Sequence, residues 1–175
     1  MKQMAHPQHT YFPKILILAA VLLFGPSNVF GAGPEPPQGL ISGGGLATIT
    51  TPQGNTIYAE VADTQDKRAE GLMYRTSLAP DHGMIFKFPE LGYYTFWMKN
   101  TKISLDIIWM EKNGTIIYIE PAVPICTRKD DGCPRYHSHK KSRYVLEVNA
   151  GMAKKLDLTP GTLLNLSFPN SSLPF

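Results

Sequence analysis

Apolar and polar positions alternate with a period of two in several segments of this chain, which is the pattern of half-buried strands. Ala47–Thr51 and Thr56–Val61 are rich in β-branched residues and flank the turn residues Pro52-Gln53-Gly54-Asn55, so they predict a hairpin. Gly83–Phe88 predicts a strand closed by Pro89, and Tyr94–Met98 predicts another. Leu105–Glu111 and Thr115–Glu120 flank Lys112-Asn113-Gly114, and Asn-Gly is the strongest short hairpin signal. Arg143–Val148 alternates cleanly, with Tyr144, Leu146 and Val148 on one face and Arg143, Val145 and Glu147 on the other. Thr162–Phe168 predicts the last strand, after a turn at Pro160-Gly161.

Two short helices interrupt the strands. The first is capped by Asp63 or Thr64, has Asp66 in its first turn and takes its apolar face from Ala69, Leu72 and Met73. The second covers Met152–Leu156. Helices this short depend on docking against a sheet. Together these elements predict a mainly β, β-rich α+β fold of about eight short strands and two short helices. Short strands leave costly edges unless the sheet curls, so the expected architecture is a small, partly closed β-barrel with helices plugging its ends.

The N-terminus breaks the alternation. Lys2 and Lys14 precede an uncharged apolar run, Ile15–Gly25, which Pro26-Ser27-Asn28 ends. A basic start, a short apolar centre and the small-residue end at Gly31 predict a cleaved secretory signal over residues 1–31. A membrane span needs about 20 apolar residues, and Pro26 stops the run short of that. Residues 32–45 are a Pro/Gly-rich leader, 46–168 the single β-rich domain and 169–175 a frayed tail.

Signal removal changes the charge argument. It takes Lys2 and Lys14 and no acidic residue, lowering 17 basic residues to 15 against 14 acidic ones, a net +1. A near-neutral domain gives no ground for nucleic-acid binding. Both cysteines, Cys126 and Cys133, fall in the exported part, where a close pair is expected to oxidise to a disulfide. On the chain-entropy account this closure contributes roughly 2–3 kcal/mol and orders the polar loop between them.

Three groups of residues could carry chemistry. Trp97, Met98, Lys99, Asn100 and Thr101 lie at the end of a strand and enter a loop. They read either as a binding rim, with an aromatic face beside amide and hydroxyl groups, or as core filling and local turn bonding. Arg75, Asp81 and Asp106 read either as a site or as a structural ion-pair network. Asp106 sits among Leu105, Ile107 and Ile108 and needs a partner, for which Arg75 is the expected one. His137 and His139 lie near the cysteines, but their spacing is not that of a zinc finger and the surrounding run Arg135–Lys141 is basic, so it reads as a solvated polar loop, or as one that binds an acidic polysaccharide or lipid head group, and no metal is expected. There is no nucleophile elbow, P-loop or dinucleotide fingerprint, and no cofactor is expected.

The motifs EGLMYRTSLAPDHGMIFKF, FWMKNTKISLDIIWM and CPRYHSHKKSRYVLEVNAG resemble the family known as domain of unknown function 192, across Ala47–Phe168 and in the family's order. Matching positions include Gly71, Leu72, Met73, Arg75, Gly83, Met84, Phe86, Phe96, Trp97, Met98, Asn100, Thr101, Asp106, Tyr144 and Glu147. Ile103-Ser104 departs from the Ile-Pro found in many members. The resemblance implies a compact β-rich fold, often exported, and no established catalytic mechanism.

The reading that follows is a non-catalytic binding or accessory module of the periplasm or cell envelope. Its expected partner is a small molecule, glycan or envelope protein, with no nucleic acid and no membrane span after signal cleavage; a monomer is expected. The alternative is a hydrolase or transferase using Asp106 and Asp81 as acid–base groups, which requires both to line one pocket. A purely structural envelope protein is a third possibility. Mass spectrometry of the exported protein should find Ala32 as its first residue and no reactive thiol. An intact N-terminus, or two thiols that alkylate under native conditions, would overturn the export reading.

Overall fold

The computed structural model describes residues 45–169. The signal expected over residues 1–31, the expected leader up to residue 44 and the expected tail from residue 170 lie outside the described residues. Eleven elements follow one another: β1 (Ala47–Thr50), β2 (Thr56–Ala62), α1 (Gln65–Glu70), β3 (His82–Gly92), β4 (Thr95–Trp97), β5 (Leu105–Met110), β6 (Ile116–Val123), β7 (Arg135–His137), β8 (Ser142–Asn149), α2 (Met152–Lys155) and β9 (Asn165–Ser167). Seven strands form one sheet in the order β6-β5-β8-β3-β2-β1-β9, and β4 pairs with β7 in a separate two-stranded ribbon. Every pairing is antiparallel except β2 with β3, which are parallel and joined through α1.

The mainly β class is as expected, but the sheet is not closed into a barrel. Among the described residues its edges, β6 and β9, are linked by one isolated bridge, Thr115↔Leu163, and by neighbouring backbone bonds such as Ile116 N–H to Thr162 O at 2.8 Å. The sheet has another way of covering its surface, because both of its faces are buried. One apolar cluster gathers Ile49, Ile57, Ile85, Ile108, Met110 and Leu146 under α2 and the segment after it. The other gathers Phe86, Phe88, Phe96, Met98, Ile107, Trp109 and Val145, with β4 and Leu72 as its cover. All six residues of β5 are buried, as a strand covered on both faces requires.

Other differences are local. β7 lies in a run whose charge and histidines read as a polar loop; it is held as a strand by pairing with β4, with Phe96 opposite Tyr136. β3 continues past Pro89 to Gly92, and its ladder with β8 shifts register there, which a residue without an N–H permits. Thr64 caps α1 by accepting from Lys67 N, yet no residue of α1 is buried. The buried residue is Leu72, in the turn after the helix ends. Gly83 lets β3 and β8 approach, since a Cβ there would lie 2.6 Å from the Glu147 carbonyl oxygen.

Asp106 is fully buried, and its expected partner is not the one it has. Arg75 pairs instead with Glu60 at 2.8 Å, near the surface. The Asp106 carboxylate accepts three backbone N–H groups: Ala122 at 2.8 Å, Gly151 at 3.0 Å and Ala153 at 2.8 Å. The first comes from a bulge, where Pro121 and Ala122 lie between the paired residues Glu120↔Ile107 and Val123↔Leu105. The other two come from the start of α2. One side chain therefore joins β5, the β6 bulge and α2. Replacing Asp106 by Ala strands three donors and should lower stability by about 3–5 kcal/mol. Arg75→Ala, losing a half-exposed pair, should cost less than about 1 kcal/mol. Urea unfolding of both variants checks this, and an Asp106→Ala loss as small as that of Arg75→Ala would refute the anchor.

Candidate functional site

Two turns meet over the second apolar face. α1 ends at Gly71, whose φ is 50° and whose missing Cβ leaves room for Phe86 Cζ, 3.2 Å from where that atom would stand. Tyr74 and Asn100 both have positive φ, 66° and 57°. Tyr74 N–H donates to the Asn100 carbonyl at 2.8 Å, and the Asn100 side-chain amide donates back to the Tyr74 hydroxyl at 3.0 Å. Asn tolerates the left-handed conformation well, so it suits one side of this clasp. The clasp joins the turn after α1 to the loop after β4.

Beneath and beside it lies a pocket of about 230 Å³. Arg68–Met73 form one wall, Phe86 and Phe88 of β3 another, Tyr94 and the β4 residues Thr95–Trp97 a third, and Thr101 and Glu147 complete the lining. The rings are held by one another. Phe88 and Tyr94 stack at 3.4 Å, and Phe96 stands edge-on to Phe86 at 4.8 Å and to Trp109 at 5.8 Å. Trp109 Nε1 donates to the Tyr94 carbonyl at 3.1 Å, fixing the start of this wall. Cations sit against its outer parts: Arg68 is 5.5 Å from the Phe88 centroid, and Arg135 is 4.9 Å from that of Trp97.

Glu147 is the unusual member. It lies on β8 between Met84 of β3 and Ile107 of β5, and is 4% exposed. Among the described residues its carboxyl makes no hydrogen bond or ion pair, and burial alone pushes its pKa up from 4.5 to about 8. At neutral pH it is therefore a protonated acid facing a pocket, able to donate a hydrogen bond or release its proton to bind a cation.

The sequence-selected residues divide. Trp97 and Thr101 line this pocket. Lys99 does not; its ammonium contacts Asp131 of the disulfide loop and stands 5.2 Å from the Trp97 ring. Asn100 belongs to the clasp, Arg75 to Glu60 and Asp106 to its backbone donors. Asp81 is exposed and takes a 2.8 Å hydrogen bond from His82, which holds its carboxyl below the ordinary range. Asp81 and Asp106 thus do not share the pocket. Cys126 and Cys133 are bonded, with Cα atoms 5.9 Å apart, and the His137 and His139 rings pack on each other at 4.1 Å.

Sequence reasoning missed Glu147, Arg68, Phe88 and Tyr94 as site residues. The available signal was the alternation of β8, which puts Glu147 on the same face as buried Val145. A wider groove of about 830 Å³ lies beside Thr50–Pro52 and Leu163–Leu166, but no acidic side chain lines it.

The Glu147 shift has a defined sign. The folded protein keeps a proton that the unfolded chain loses above pH 4.5, so stability falls as pH rises from about 4.5 to about 8 and then levels. The full cost is on the order of 5 kcal/mol. Glu147→Gln should remove this slope and gain most over the wild type above pH 8. Denaturant unfolding at several pH values checks it; parallel curves for the two proteins would refute the assignment.

The sequence profile of the DUF192 family, described as Uncharacterized ACR, matches residues 48–166. A crystal structure from Sinorhizobium meliloti 1021, provisionally described as a transcription regulator, is 35% identical, with a TM-score of 0.63, over 73% of this chain and 98% of that one. A protein of unknown function from Novosphingobium aromaticivorans DSM 12444 is 31% identical, with a TM-score of 0.63, over 77% of this chain and 94% of that one. No curated protein matches the chain. The profile match and the two solved structures agree over the same β-rich domain, and the chain belongs to the DUF192 family.

Proposed function

We propose that this protein is an exported, non-catalytic binding module whose ligand enters the pocket between α1 and β4 and reaches Glu147. One observation carries the reading: a carboxyl buried without a partner at the wall of an aromatic pocket. Such a group costs stability, and no structural contact among the described residues offsets that cost. Concave, mostly apolar sites with few polar groups are the usual form of small-ligand sites. At about 230 Å³ the pocket is smaller than the roughly 300–1,000 Å³ of drug-sized sites, which favours a ligand of few atoms. That Trp97 and Thr101 line the pocket supports counting both among the ligand's contacts.

Export rests on the N-terminal signal pattern and suits the Cys126–Cys133 bond. The acid–base alternative has less support. Asp106 is fully buried and bonded to three backbone donors, Asp81 stands elsewhere in solvent, and the other carboxylate of the pocket lining, Glu70, is exposed on α1. A regulatory role borrowed from the Sinorhizobium neighbour would call for a nucleic-acid surface, which a mature net charge of +1 does not favour.

Thermal-shift screening of the exported protein against amino acids, amines, sugars and envelope fragments tests the reading. A ligand that raises Tm should lose at least tenfold in affinity, about 1.4 kcal/mol, in both Trp97→Ala and Glu147→Gln. Arg75→Ala should bind as the wild type does. A ligand whose shift survives both pocket variants would place the binding site elsewhere.

A further inference from the structure

The ligand class can be narrowed further, resting on the pocket reading above. Glu147 presents a carboxyl to the pocket with no Lys, Arg or His paired to it among the described residues. The walls beside it are aromatic, from Phe86, Phe88, Tyr94 and Phe96. An aromatic face attracts a cation through its quadrupole, and a carboxylate attracts it through charge. This wall already holds cations of the protein's own at Phe88 and Trp97. We infer that the pocket takes a small organic cation, a primary or methylated ammonium group, which seats its apolar shell against the rings and its charge against Glu147.

The other charged groups of the lining leave room for that charge. From α1 come Arg68 and Glu70, one of each sign; β4 supplies Thr95, Phe96 and Trp97, none of them charged; Tyr94, just before β4, donates its hydroxyl to the Glu90 carbonyl at 2.8 Å; β3 supplies Phe86 and Phe88. Arg68 is held by other partners, its Nη1 donating to the carbonyls of Asp63 at 2.7 Å and Lys87 at 3.0 Å. The ligand therefore supplies the counter-charge that the chain does not. Binding has a proton balance: the free carboxyl gives one proton to solvent as the ammonium arrives, and nothing else is exchanged. Affinity for a cation then rises about tenfold per pH unit up to the Glu147 pKa of about 8 and is level above it. A neutral hydrogen-bond acceptor shows the opposite trend, because it needs the protonated acid.

Calorimetry with choline chloride and its uncharged isostere 3,3-dimethyl-1-butanol, at pH 6, 7 and 8.5, separates these cases. Choline should bind the wild type, tighten about tenfold from pH 6 to 7 and release close to one proton at pH 6, read from buffers of different ionisation enthalpy. Glu147→Gln should lose at least tenfold for choline; its near-UV circular dichroism shows whether it is folded, and the wild-type proton release stands without it. If the butanol binds and choline does not, the pocket survives and the cation inference fails. If choline binds without pH dependence or proton release, the cation does not meet Glu147 and the inference also fails. If neither probe binds the wild type, the inference falls, and the pocket reading is then decided by the Trp97→Ala and Glu147→Gln responses to a screened ligand.

Discussion

β5 and β8 are adjacent interior strands of a sheet that is covered on both sides, so a polar side chain on either strand meets protein and not bulk water. Desolvating a carboxylate costs several kcal/mol unless hydrogen bonds or a cation replace the lost hydration. Two acids occupy such positions, Asp106 on β5 and Glu147 on β8, and they meet this constraint in opposite ways. The bulge at Pro121-Ala122 and the start of α2 both turn N–H groups toward Asp106. Nothing among the described residues turns toward Glu147. The first acid organises one face of the sheet, and the second is left to a cavity on the other.

The cavity exists because its covering layer is thin. α1 buries none of its residues, and the β4–β7 ribbon has only three residues in each strand. Small covers leave space over a sheet that long helices would have filled. Three contacts keep this layer in place: the Tyr74–Asn100 clasp, the Trp109 bond to Tyr94, and the Lys99–Asp131 contact. The last ties the rim loop to the segment closed by Cys126 and Cys133, and Cys133 lies two residues before β7. The disulfide therefore shapes the surroundings of the pocket wall without entering the pocket.

Most strands were legible from alternation and turn residues, since local patterning decides whether a segment can lie half-buried in a sheet. β7 was not, because its run of charges and histidines has no apolar alternation and its pairing partner is about forty residues away. The open sheet was not either, because edge count says nothing of which elements will cover a second face. Trp97 and Thr101, which stand out as aromatic and hydroxyl residues at the end of a strand, line the candidate pocket. Asn100 and Arg75 stood out equally, yet one bonds Tyr74 and the other Glu60.

The amino-acid sequence by itself determined the strand-rich class, the main turns, the pairing of two nearby cysteines and the family. These depend on local chemistry and on short spacings. Only the tertiary structure decided which acid is satisfied and which is not. Asp106 is saved by donors 16, 45 and 47 residues away, and Glu147 is isolated because the layer over its face brings it none. A residue's need for a partner can be read from its type, but the supply of partners depends on packing between segments distant in the chain.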